Sequence, residues 1–218
     1  MKPIHAPQAL QTFFSEHPRL ALAFSGGTDS AYLLYAATAC GCDVEAFYAQ
    51  SAFQPEFERR DALRLAEQLG ARMSIVPLDV LAIQAVRANP GDRPGMRALQ
   101  ERGVLSPLRL CGITKDQVRE YSRRAGLFTW NKPAYACLAT RVPAGTPIDA
   151  DTLRRVEGAE NALFDLGYTD FRVRVFHGAA RLQLPADQLE RIARERKAAR
   201  DALKPYFEVV MLDLEERE

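Results

Sequence analysis

The chain has 218 residues, 47% of them hydrophobic and 26% charged, with a formal net charge of +1. Such a length allows one sizeable α/β domain and a smaller unit, and the near-neutral balance argues against an extended nucleic-acid surface, which needs a basic excess. The N-terminal MKPIHAPQALQTFFSEHP has no basic stretch leading into an apolar run, and no apolar run reaches about 18 residues, so neither secretion nor membrane spanning is expected.

Apolar β-rich runs predict strands at 20–24, 44–49 and 72–77, separated by amphipathic helices at 29–40 and 55–69. That alternation predicts parallel strands joined by right-handed crossovers. Ligands of such sheets sit beyond the carboxyl ends of strands, which is where Ser25, Gly26, Gly27, Thr28, Asp29 and Ser30 fall. Two glycines opening a helix present backbone N–H groups to the positive end of its dipole, a cradle for an anion. Ser25, Thr28 and Ser30 add hydroxyl donors, and Asp29 adds a carboxylate for a Mg²⁺ bridging phosphates. The plain structural alternative is a Gly-Gly turn capped by Asp or Ser. The spacing is neither that of a Walker loop nor that of a dinucleotide fingerprint.

Further along, a helix is expected over 79–87, a turn-rich ANPGDRPG at 88–95 and a short helix at 96–102. Thr114 reads as the N-cap of a helix that stops at Gly126, and 131–148 reads as loop. A loop that long in a compact domain is more often functional than decorative. From Asp149 the pattern is helix 150–166, strand 171–176, strand 180–184, helix 186–203 and strand 207–213, with Gly178 at a hairpin tip. The boundary is therefore placed near 147, giving an α/β domain over 1–147 and an α+β unit over 148–218.

The cysteines Cys40, Cys42, Cys111 and Cys137 form neither a disulfide framework nor a metal pair, and a reducing cytoplasm is expected. Cys137, in ACLATR, lies four residues from Arg141 and five from Lys132, cations suited to favouring a nucleophilic thiolate. The alternative is a small buried hydrophobe. Arg172 and Arg174 alternate along FRVRVF, so both face one side of a strand, as a clamp for phosphate or carboxylate or as a solvated sheet face.

SGGTDS, GDRPGMRAL, SPL, GITKDQVREYSRRAGL, TWNKPAYACLATRVPAGTPI and FRVRV together resemble the LarE-type ATP-dependent sacrificial sulfur transferases, over about Leu20 to Asp213. SGGTDS alone resembles the pyrophosphate loop of the wider ATP pyrophosphatase superfamily; the W-x-K-P-x-x-x-C-L-A run is the more specific part. The resemblance implies an α/β fold of the adenine-nucleotide alpha-hydrolase-like type with a smaller C-terminal α+β domain, ATP and Mg²⁺ at Ser25–Ser30 with the metal on Asp29, and Cys137 as sulfur donor. It also implies Arg172 and Arg174 as phosphate ligands, a pyridinium dicarboxylate mononucleotide as acceptor, a role in nickel-pincer nucleotide cofactor synthesis, and a homo-oligomer. Amidation, tRNA thiolation and a catalytically silent nucleotide-binding protein are the competing readings.

One departure from the family pattern stands out. Asn89-Pro90 runs almost straight into Asp92-Arg93-Pro94-Gly95, where the family carries about 40 further residues, including a strand whose backbone groups would pair within the sheet. The expectation is a spatial jump between Pro90 and Arg93 and room for one more strand beside its neighbours.

Overall fold

A computed structural model describes residues 4–82, 101–133 and 135–217. Among them, residues 4–78 and 101–133 group into one compact unit, and residues 79–82 and 135–217 into a second. The division thus falls before Tyr135 rather than near 147. The loop carrying Cys137 belongs with the C-terminal unit, because its side chains are tied to that unit's helix and sheet, as described below.

In the first unit β1 (Arg19–Ala23), β2 (Asp43–Gln50) and β3 (Arg72–Pro77) form a parallel sheet in the order β1-β2-β3. Leu20 pairs with Val44 and Ala46 with Met73 in register. The helices are α1 (Gln8–Glu16), α2 (Thr28–Ala39), α3 (Glu56–Leu69), α4 (Pro107–Leu110) and α5 (Lys115–Arg124). α2 buries Ala31, Tyr32, Leu34, Ala36 and Ala37, and is apolar on nearly every side because it is packed among α1, α3, α5 and the sheet. α5 begins as expected at Thr114, whose side chain accepts from the Gln117 amide while the Gln117 side chain accepts from the Thr114 amide.

Among the described residues β1 has β2 as its one strand neighbour, and its Ala21 and Ala23 are exposed. The expected helix over 79–87 does not form at 79–82, where the chain turns. The remainder of that helix, nearly all of the short helix at 96–102 and the expected break between Pro90 and Arg93 lie outside the described residues.

In the second unit β4 (Arg172–Phe176) and β5 (Ala179–Gln183) form an antiparallel hairpin, and β6 (Val210–Leu212) joins β5 in parallel. The hairpin turns at His177 and Gly178, both with positive φ (49° and 83°), the backbone of a tight two-residue turn. α6 (Ala150–Asp165) packs Leu153, Val156, Ala159 and Leu163 inward from an Asp149 cap whose side chain accepts from the Thr152 amide at 2.7 Å. The single helix expected over 186–203 is two, α7 (Ala186–Arg194) and α8 (Arg196–Leu203), broken at Glu195. The Glu195 carboxylate there accepts from the Tyr168 hydroxyl and from Arg191.

Candidate functional site

The loop after β1 is built as a cradle. The chain leaves β1 through Phe24, whose amide still donates to Phe47 O at 2.9 Å, and turns at Gly26 with φ +71°. A Cβ on Gly26 would stand 3.1 Å from Ala62 Cβ and 3.3 Å from Ala62 Cα on α3, so both backbone angle and space demand glycine. The turn is laced by hydroxyls: Ser25 Oγ lies 3.1 Å from Ser30 Oγ, the Gly27 amide donates to Ser25 Oγ at 3.3 Å, and Ser30 Oγ donates to Gly27 O at 3.2 Å. Gly27 caps α2 without a side-chain bond, which leaves first-turn amides available to an outside acceptor.

Two of the expected residues behave differently from the rest. Thr28 is buried and its hydroxyl donates to Thr129 O at 3.0 Å, so it braces the loop against the Phe128–Asn131 turn. Asp29 is exposed in the first turn of α2 and pairs with Lys115 Nζ at 2.6 Å. Lys115 was not singled out from the sequence. Its place one residue past the Thr114 cap gave no chemical signal, and only the packing of α5 on α2 brings it to the loop. Among the described residues no group of three or more His, Cys, Asp and Glu side chains is arranged to hold a metal ion. A Mg²⁺ here would rest on Asp29 and on the phosphates it accompanies, the usual manner for that ion.

The second unit holds the cysteine. Cys137 is half-buried and opens a single 3₁₀ turn, Leu138–Arg141. Its carbonyl accepts from the Thr140 amide at 3.0 Å and the Thr140 hydroxyl at 2.8 Å. Arg141, expected to act on the thiol, has another task. Its guanidinium is fully buried, donates through Nε and Nη2 to Glu160 at 2.8 and 3.3 Å, and through Nη1 to Ala136 O at 3.0 Å and Thr140 Oγ1 at 2.8 Å. It therefore clamps the backbone of the cysteine turn to α6. Lys132 likewise is engaged, with Asp61 at 2.7 Å in the first unit. Both cations thus have a carboxylate partner, Glu160 for Arg141 and Asp61 for Lys132.

Glu160 gathers the site. It is 1% exposed, receives Arg141, accepts from the Val173 amide of β4 at 3.0 Å and from the Tyr135 hydroxyl. Its signal in the sequence is a carboxylate beside the inward apolar stripe Leu153, Val156, Ala159, Leu163.

Arg172 and Arg174 share a face of β4 that is buried at Arg172, half-buried at Arg174 and exposed at Phe176. Arg172 is 7% exposed, and burial, followed by repulsion from Arg141 and Arg217, holds its pKa below the usual arginine value. Arg174 is lowered by burial and then by Arg141, Arg181 and Arg217. It donates to Thr140 O at 2.7 Å and stands directly opposite Arg181 across the hairpin. Like charges placed opposite in an antiparallel pair repel. The carboxylates paired with this group are Glu160, already held by Arg141, Asp213, 3.4 Å from Arg181, and Asp170, which pairs with Arg217. An anion received among these arginines would relieve that repulsion.

The molecule is thus an α/β protein with a glycine-cradled loop in one unit and a cysteine among buried arginines in the other. No family model matches the chain. It is 32% identical over 224 residues to the uncharacterized protein slr1717 of Synechocystis sp., covering 85% of this chain and 84% of that protein. It is 31% identical over 206 residues to the pyridinium-3,5-bisthiocarboxylic acid mononucleotide synthase of Lactiplantibacillus plantarum, covering 77% and 75%. A third relative, the uncharacterized protein MJ0830 of Methanocaldococcus jannaschii, is 29% identical over 125 residues, covering 57% of this chain and 48% of its own length. The chain belongs to the LarE-type family, that of the L. plantarum synthase. Because 77% of 218 residues is about 168, about 38 of the 206 aligned positions of that synthase face no residue here, close to the length expected to be absent. Among the described residues no helix is long and apolar enough to cross a membrane.

Proposed function

We propose that this chain is an ATP-dependent sulfur transferase of nickel-pincer nucleotide cofactor synthesis, which adenylates a carboxylate of a pyridinium dicarboxylate mononucleotide and then gives it the sulfur of Cys137. The first unit is read as a pyrophosphate-loop domain of the adenine-nucleotide alpha-hydrolase-like type. ATP phosphates lie on the amides of Gly26 and Gly27 and the hydroxyls of Ser25 and Ser30, with the amides of Thr28 and Asp29 completing the cradle. Asp29, paired with Lys115 here, would hold Mg²⁺, and the ion would neutralise charge on the leaving pyrophosphate. The protein works in the cytoplasm as a homo-oligomer.

In the second unit Arg172 and Arg174 hold the phosphate of the acceptor. The Cys137 thiolate attacks the acyl adenylate, forming an acyl–sulfur bond as the acyl–oxygen bond to AMP breaks. A base then removes the Cys137 α-proton, the Cβ–Sγ bond breaks, and its electron pair leaves with the product as a thiocarboxylate. Dehydroalanine remains at position 137. The name of the L. plantarum relative specifies two thiocarboxylates on one pyridinium mononucleotide. With one sulfur given per chain, two chains would then be consumed for each molecule made.

The observation that carries this reading is the bond from Arg174 to Thr140 O, which makes the cysteine turn and the arginine strand one assembly. Intact mass after turnover with ATP, Mg²⁺ and a pyridinium dicarboxylate mononucleotide tests it. The protein should become lighter by one H₂S, mapped to residue 137, and Cys137→Ala should release pyrophosphate while transferring no sulfur. A cysteine unchanged after several turnovers, with no external sulfur supplied, would refute the proposal.

A further inference from the structure

Tyr135 lies two residues before the cysteine, and none of the roles described above involves its ring. Its hydroxyl donates to Glu160. The guanidinium carbon of Arg141 lies 4.6 Å from the ring centroid, and that of Arg172 lies 5.2 Å from it. One aromatic ring therefore touches both the cation that fixes the cysteine turn and a cation read as a phosphate ligand. Those two guanidiniums repel each other, and Glu160 is shared between Arg141, Tyr135 and the Val173 amide. The negative π-face of an aromatic ring attracts a guanidinium held within about 6 Å of its centroid, and the attraction is larger where water is excluded.

We propose that Tyr135 is a positioning residue, whose ring holds the Arg172 guanidinium in its anion-binding orientation beside the Cys137 turn. The inference rests on reading Arg172 and Arg174 as an anion site and adds the residue that sets one of them. The ring is the operative part. The hydroxyl bond to Glu160 orients the ring, and the π-face restrains Arg172. A leucine here would remove that π-face and leave the guanidinium to its bond to Phe171 O at 2.6 Å and its other neighbours.

The test uses the full-length protein with inorganic phosphate as the probe, and residue 135 varied in ring electronics at nearly constant shape. Tyr135→Phe removes the hydroxyl alone; pentafluorophenylalanine at 135, introduced by nonsense suppression, reverses the sign of the ring quadrupole; Arg172→Gln reports whether there is an anion site at all. Phosphate affinity should be close to wild type in Tyr135→Phe and at least about fivefold weaker with the fluorinated ring. ATP affinity, which depends on the other unit, should be unchanged in both. Equal phosphate affinity for Phe and its fluorinated analogue would overturn the inference, as would a loss in Tyr135→Phe as large as that with the fluorinated ring. If Arg172→Gln leaves phosphate binding unchanged, the anion-site reading itself fails. If Arg172→Gln weakens binding but ring electronics do not, only the role of Tyr135 fails. Because the two rings differ little in volume, a purely structural role would not separate them.

Discussion

Removing the charge of Glu160 should loosen the cysteine turn and the arginine strand together. Glu160→Gln keeps the side chain's shape and an acceptor for the Val173 amide, but leaves the guanidinium of Arg141, whose side chain is 0% exposed, without its carboxylate. Breaking a buried pair from one side costs about 3–5 kcal/mol, because an uncompensated charge stays in low dielectric. No screening discount applies, since neither partner reaches solvent. Arg141→Met should cost a similar amount by stranding Glu160, and it also frees Ala136 O and Thr140 Oγ1. The double variant lacks both charges of this pair, so the two losses should fall short of additivity by roughly 2–3 kcal/mol. A chain of two compact units gives no guarantee of a single two-state transition. The appropriate measurement is native-state hydrogen exchange at amides of α6 and β4, where the single variants should accelerate exchange by about two to three and a half orders of magnitude. Additive losses, or a loss below about 1 kcal/mol for Glu160→Gln, would refute the argument that this pair clamps the turn.

Gly26→Ala should weaken ATP binding by tenfold or more and destabilise the first unit by about 2–4 kcal/mol, since the new Cβ meets Ala62 at 3.1 Å in a left-handed backbone; calorimetric titration and urea melts check both. Asp29→Ala should abolish pyrophosphate release while leaving the melting profile intact, because the Asp29–Lys115 pair is half-exposed and contributes little to stability; normal adenylation by that variant would remove Asp29 from the mechanism. Stability should fall as pH rises from about 10 towards 12. Burial raises the pKa of Tyr48 and Tyr168 from 10 to about 12, so each contributes stability that is fully present below the unfolded value and lost up to the folded one. The slope is at most about 1.4 kcal/mol per pH unit for each tyrosine. Tyr48→Phe should flatten the alkaline limb of the denaturation midpoint against pH, and an unchanged limb would contradict the assignment.

The family, the α/β alternation and the individual chemical groups were legible in the sequence because each depends on local order along the chain. An apolar run ending in SGGTDS makes a strand, a glycine turn and a helix start whatever surrounds them, and Thr114 with Gln117 makes a capping box from its own side chains. The break of 186–203 at Glu195 was not legible there, since the helical pattern continues through it and the competing bonds come from Tyr168 and Arg191 in the fold. Nor was the true partner of Arg141. By spacing it lies near Cys137, yet a buried guanidinium must be paired wherever the fold supplies a carboxylate, and α6 supplies Glu160, nineteen residues away. The same physics placed the division between units before Tyr135, attached the cysteine turn to the arginine strand, and brought Lys115 to Asp29 across 86 residues. Sequence determined which chemical groups the chain possesses; desolvation and packing, which act only between segments already folded together, decided which of them meet.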